Sequence, residues 1–113
     1  MKRGEVWTAA AGSGYAGKPR PVVIVQDDRF DATASITVCA LTTRATEADT
    51  FRPVIEASAA NGLTSTSRLM VDKIVTVPRT KLGRRLGRLA GADIVRLDAA
   101  MLIFLGLADP RTD

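Results

Sequence analysis

A chain of 113 residues, 46% hydrophobic and 25% charged, can bury one core but not two, so residues 1–113 read as a single domain. Having no histidine excludes the imidazole acid–base pair and the Ser-His-Asp arrangement, and a lone cysteine, Cys39, leaves neither a disulfide framework nor a zinc site. The net charge of +4 sits in residues 57–113, with nine Lys/Arg against five Asp/Glu, while residues 1–56 carry seven of each; such an excess suits an anionic partner such as nucleic acid, or a solvated face.

The N-terminal Met1-Lys2-Arg3-Gly4-Glu5 passes into a strand-like pattern without an apolar signal segment, and no apolar run nears the roughly 20 residues of a membrane span. A cytoplasmic protein with no membrane contact is expected. Glu5 to Ala9 alternates around Val6 and Trp7 as a first strand. Ala10 to Pro19, rich in Gly, Ala and Ser, is a loop. Its glycines at 12, 14 and 17 lack the following Lys-Ser/Thr and helix of a phosphate cradle.

The segment GKPRPVVIVQ, Gly17 to Gln26, combines two cations with an apolar run. Pro21 disfavours a helix and is tolerated at the start of a strand, so Pro21 to Gln26 reads as strand. Arg20 then stands where a loop meets a sheet, held between two prolines. Asp27 to Ala34 is turn-like, with a helical turn around Arg29 and Phe30; its acids Asp27, Asp28 and Asp31 read as a turn cluster.

Ser35 to Thr43 is a strong strand with Ile36, Val38, Ala40 and Thr42 on one face and Thr37, Cys39, Leu41 and Thr43 on the other. Cys39 reads as a buried small hydrophobe. Arg44 to Thr50 is a polar loop, and Phe51 to Ala57, with its internal proline, fits an edge strand. Asn61-Gly62 is a turn. Ser67 to Val71 and Lys73 to Val77 are two short strands or one bent near Asp72. Pro78 to Lys81 opens a helical turn.

Arg79, Lys81, Arg84, Arg85 and Arg88 form a basic run without an intervening acid. From Gly91 the period becomes helical through Ile94, Leu97, Met101, Leu102 and Leu105, with Asp93 near the start and Asp109-Pro110 closing the segment. Short strands followed by a terminal helix imply a small, twisted, partly open antiparallel barrel with the helix packed on it. The hydroxyls and cations near strand ends, namely Arg20, Thr42, Thr43 and Ser67, could gather at its rim or serve as ordinary strand and loop residues.

Taken together, RGEVW at Arg3 to Trp7, KPRPVVIVQ at Lys18 to Gln26, ITVCALTT at Ile36 to Thr43 and SRLMVDKIVTV at Ser67 to Val77 resemble the MazF/PemK family of toxin endoribonucleases. The resemblance spans nearly the whole chain in order and spacing. It implies a mostly β, Src-homology-3-like (PemK/CcdB-like) barrel with a C-terminal helix, a homodimer that cleaves single-stranded RNA at short sequences without a metal or cofactor, and a cognate MazE-like antitoxin that neutralises it. The family's arginine of the Arg-Pro pair falls on Arg20, its strand-ending threonine on Thr42 and its strand-opening serine on Ser67. The acidic residue that some members carry in the first loop has no counterpart between Ala10 and Pro19.

RNA brings its own nucleophile, the 2′-OH, so the protein needs to align it and to steady charge on the phosphate. Arg20 suits the second role and Thr42 adds a hydroxyl donor. Removing a proton from a guanidinium near neutral pH costs roughly 7 kcal/mol, which favours a permanent cation over a base. Unpaired bases stack on aromatics or guanidinium planes, which nominates Tyr15 and Arg44, with Lys18, Thr43 and Ser67 as further substrate-binding residues. Two rival readings keep the barrel without catalysis: a gyrase-poison-like toxin acting through protein contact, and a plain nucleic-acid-binding module.

Overall fold

The run from Val22 to Val25 is apolar at every position because its strand is covered on both faces. The computed structural model describes residues 1–10, 18–45 and 50–108. Among them is one six-stranded antiparallel sheet of β1 (Glu5–Ala9), β2 (Arg20–Ile24), β3 (Ser35–Thr42), β4 (Val54–Ile55), β5 (Ser67–Pro78) and β6 (Leu82–Arg88), followed by α1 (Gly91–Phe104). The strand order is β4-β5-β3-β2-β1-β6, so β2 and β3 lie in the middle and β4 and β6 are the edges.

Alternation along the central strands divides their side chains between two clusters. Val23, Val25, Cys39 and Leu41 join Leu69 and Val71 in the larger core, which α1 closes with Leu97 and Ala100. Val22, Ile24, Ile36 and Val38 point the other way and pack with Leu82 and Trp7. Full burial of one such aliphatic side chain is worth about 2 kcal/mol. The result is the expected partly open barrel, a curled half-barrel with its helix on one side.

Of the two readings open for Ser67 to Val77 the single strand holds, as Ser67–Pro78, and the break near Asp72 appears as a shift of register: Cys39 faces Ile74 while Leu41 faces Leu69. Two other elements differ from the reading of the sequence. The edge strand within Phe51 to Ala57 is only Val54–Ile55. From Leu82 onward the basic run is itself a strand, while Arg79–Lys81 form the helical turn before it; β6 pairs with β1 and anchors through buried Leu82 and the partly buried Leu86, and arginines and glycines on an edge give no apolar alternation to read.

Helix α1 begins at Gly91 as expected, with Asp93 in its first turn, and ends at Phe104. Gly106, at φ 74°, completes a Schellman turn in which the Leu107 N–H donates to the Leu102 carbonyl at 2.8 Å and the Gly106 N–H to the Ile103 carbonyl at 3.1 Å. The helix therefore stops before Asp109-Pro110, which lies outside the described residues. Leu102 and Leu105, expected on the core stripe, are exposed together with Ile103, Phe104 and Leu107.

Candidate active site

Arg20 opens β2 opposite Ala9 of β1, on the rim of the sheet, and its side chain is exposed. The β2–β3 register runs Ile24↔Val38, Val23↔Cys39, Val22↔Ala40. Continued by two residues, it sets Arg20 against Thr42, the last residue of β3. Arg20, Val22 and Ala40 line one cavity, and alternation puts Thr42 on the face of Ala40. Across the next strand pair Thr42 faces Arg68 of β5, and directly opposed residues share a face. Arginine, threonine and arginine thus stand in a row over three neighbouring strands.

Thr42 Oγ1 accepts the backbone N–H of Arg44 at 3.2 Å. With that lone pair engaged, the hydroxyl proton still points to another acceptor, so the group can act as a donor. The Arg68 guanidinium donates to the Arg52 carbonyl at 3.3 Å, which ties this cation to the segment preceding β4. Sequence reasoning overlooked Arg68; its position directly after Ser67 on an alternating strand was the available signal.

Two cavities flank this strand end, one on each face of the sheet. The first, about 310 Å³, has an apolar floor of Val22, Val38 and Val77 with Arg20 and Lys81 at its margin. The second, about 290 Å³, is lined by Pro21, Thr43, Ser67, Thr8 and Arg84 among others. The nominated residues are therefore divided: Arg20 belongs to the first face, and Thr43 and Ser67 to the second. Ser67 is buried and its Oγ donates to the Ser65 carbonyl at 3.0 Å. Lys18 and Arg44 are exposed at the same end of the sheet. Tyr15 lies outside the described residues.

The basic run does not act as one patch. Arg79 folds back onto the turn after β2, donating to the Thr33 and Asp31 carbonyls and lying 3.5 Å from the Asp31 carboxylate. Arg85 pairs with Glu5 at 3.2 Å. Lys81 and Arg84 remain at the two cavities. Elsewhere, Arg52 grips Asp72 through two hydrogen bonds of 2.8 Å, and this grip holds the Asp72 carboxyl below the usual carboxylate range. Burial pushes the Cys39 thiol up to about 12, so it behaves as a core hydrophobe rather than a nucleophile. Among the described residues no cluster of His, Cys, Asp or Glu could hold a metal ion, and no helix is long and apolar enough to cross a membrane.

Comparison with known proteins bears on the same stretches. Residues 2–105 match the family model described as PemK-like, MazF-like toxin of type II toxin-antitoxin system. The chain is 57% identical over 108 residues to the probable endoribonuclease MazF of Mycolicibacterium smegmatis, covering 96% of this chain and 99% of that protein. It is 32% identical over 117 residues to endoribonuclease MazF9 of Mycobacterium tuberculosis, covering 95% and 98%. Among solved structures, an endoribonuclease in complex with its cognate antitoxin from a mycobacterial species superimposes with a TM-score of 0.76 at 27% identity, covering 97% of this chain and 99% of that one. With the fold and nearly its full length matched, the chain belongs to the PemK-like, MazF-like family of type II toxins.

Proposed function

We propose that the protein is a toxin endoribonuclease of the cytoplasm that cleaves single-stranded RNA at short sequences, with Arg20 and Thr42 as its catalytic residues. The observation that carries this reading is the β2–β3 register, which when continued two residues past Val22↔Ala40 sets Arg20 against Thr42, in a chain 57% identical to a probable endoribonuclease. In the reaction the RNA 2′ oxygen attacks the adjacent phosphorus, forming a 2′,3′-cyclic phosphate as the bond from phosphorus to the 5′ oxygen breaks. The 2′ proton passes to water, and the 5′ oxygen takes up a proton from water. Arg20, a permanent cation, donates parallel hydrogen bonds to the non-bridging oxygens as their charge grows, and Thr42 adds a hydroxyl donor from a fixed strand.

None of these steps draws on a resident metal or cofactor. Lys18 and Arg44, beside the two catalytic residues in the chain, follow the RNA backbone; Thr43 and Ser67 contact the substrate on the second face; and Tyr15 supplies a stacking platform. The protein works as a homodimer, a state supported by the exposed apolar helix end of Leu102, Ile103, Phe104, Leu105 and Leu107, too large an apolar group to leave in water without a partner. A cognate MazE-like antitoxin neutralises it by occluding the cations of the RNA site; the structural relative bound to its antitoxin supports this partner.

Purified protein incubated with a long single-stranded RNA in EDTA tests the reading. Discrete fragments ending in 2′,3′-cyclic phosphate are expected, and a single 2′-deoxy nucleotide at a mapped cut should block cutting there. Intact RNA, or equal cutting at the deoxy position, would overturn it.

A further inference from the structure

The pairing of β1 with β6 is broken in a particular direction. Trp7 lies opposite Arg85 and Ala9 opposite Leu82, so Gly83 and Arg84 together face the single residue Thr8. Two residues against one make a β-bulge, which turns a side chain out of the regular alternation. Glycine at 83 leaves room for the Thr8 hydroxyl, since a Cβ there would stand 2.5 Å from Thr8 Oγ1 and displace it. The same Thr8 oxygen accepts the backbone N–H of Arg84 at 3.0 Å. The bulge is fastened from both sides, and the Arg84 side chain lines the second cavity.

The opposite wall is equally fixed. Asn61, only 2% exposed, accepts the N–H groups of Ser58 and Leu63 at 3.0 Å each and donates to the Glu56 carbonyl at 2.9 Å. Gly62, at φ 72°, presses against β6 so closely that a Cβ would meet the Leu86 carbonyl oxygen at 2.2 Å. Between these walls the cavity of about 290 Å³ offers apolar surfaces from Pro21 and Leu63 and hydroxyls from Thr64 and Ser65. Apolar surfaces of this kind suit the face of a planar ring, and a preorganised polar edge discriminates more sharply than an adaptable one.

We propose that this cavity receives the base of a nucleotide flanking the cut, and that Arg84 reads its edge, preferring a carbonyl over an amino group at the purine 6 or pyrimidine 4 position. The inference rests on the ribonuclease reading above. The cavity opens on the other face of the same strand ends: Pro21 and Thr43, which line it, follow Arg20 and Thr42 in the chain, so an RNA strand turning over the rim carries a neighbouring base into it. A guanidinium offers only donors, and its fork matches the paired acceptors of guanine or the 4-carbonyl of uracil. Adenine and cytosine present an amino group there, leaving donor against donor.

The test uses the full-length protein and short RNAs in which each nucleotide flanking a mapped cut is varied in turn. The wild type should prefer guanine or uracil at one flanking position by about fivefold or more. Arg84→Ala and Arg84→Lys should both lose that preference, while their far-UV circular dichroism matches the wild type because the side chain is exposed. Unchanged preference in both variants would overturn the inference, as would a preference kept by Arg84→Lys, which would mark a point-charge contact to phosphate. A uniform loss of rate with the preference intact would do the same. Wild-type protein that cuts no RNA would instead overturn the function itself.

Discussion

The β2–β3 and β1–β6 pairs are built by opposite rules. The first keeps one register from Ile24↔Val38 to Val22↔Ala40, whereas the second shifts twice along the five residues of β1. Regular pairing, continued two residues beyond Val22↔Ala40, sets Arg20 against Thr42, with Val22 and Val38 beside Arg20. Irregular pairing places Arg84 by a bulge whose Thr8 hydroxyl a Cβ at 83 would displace. The proposed roles divide along the same line: the chemistry common to any RNA substrate is assigned to the regular pair, and the choice of substrate to the pair that breaks the rules.

Three substitutions probe that contrast, in falling order of effect. Arg20→Ala should lower the cleavage rate on the order of 10²–10³-fold. Its side chain lies outside both apolar clusters, so the variant should still unfold in one cooperative urea transition. A variant that unfolds, or one that still cuts at full rate, would break the assignment of chemistry to the regular pair.

Gly62→Ala strikes the support of the irregular side. It forces a side chain into the left-handed region and against the Leu86 carbonyl, so a loss of at least about 2 kcal/mol is expected. A lowered urea midpoint with an unchanged m-value would show it. An unaltered midpoint would mean that the 58–63 turn is not seated on β6 as tightly as its geometry implies.

Asp72→Asn addresses the other irregularity, the β3–β5 shift, which the Arg52–Asp72 pair pins down. The Asp72 carboxyl is held below its ordinary value by hydrogen bonds from Arg52. Stabilisation from a lowered folded value is complete above the unfolded pKa of about 3.9 and disappears as pH falls through the folded one. The variant should therefore lose about 1–2 kcal/mol at pH 7 and converge on the wild type at strongly acidic pH. A deficit that stays constant on acidification would assign the loss to packing instead.

The same contrast explains what could be read from residues alone. Pro21, the β-branched run after it and the alternation of Ser35 to Thr43 specify β2 and β3, because burial on both faces writes itself into hydropathy; the choice of Arg20 and Thr42 among the rim residues rests on the family resemblance. Nothing apolar alternates in Leu82 to Arg88, so β6 reads only as a basic run, and the separate duties of Arg79, Arg84 and Arg85 stay hidden until pairing is known. The helix start at Gly91 is legible from period and from Asp93. Its outward-facing Leu102 and Leu105 are not, since spacing alone does not say where the sheet beneath a helix ends.

The central claim is that Arg20 and Thr42 act together on one phosphate, and a double-mutant cycle on the cleavage rate tests it most directly. Arg20→Lys keeps a cation without the two-pronged donor, and Thr42→Val removes the hydroxyl while keeping the shape. Because both groups stabilise the same developing charge, the double variant should lose clearly less than the product of the two single losses. Losses that multiply fully would show the two residues working independently and would contradict the shared site.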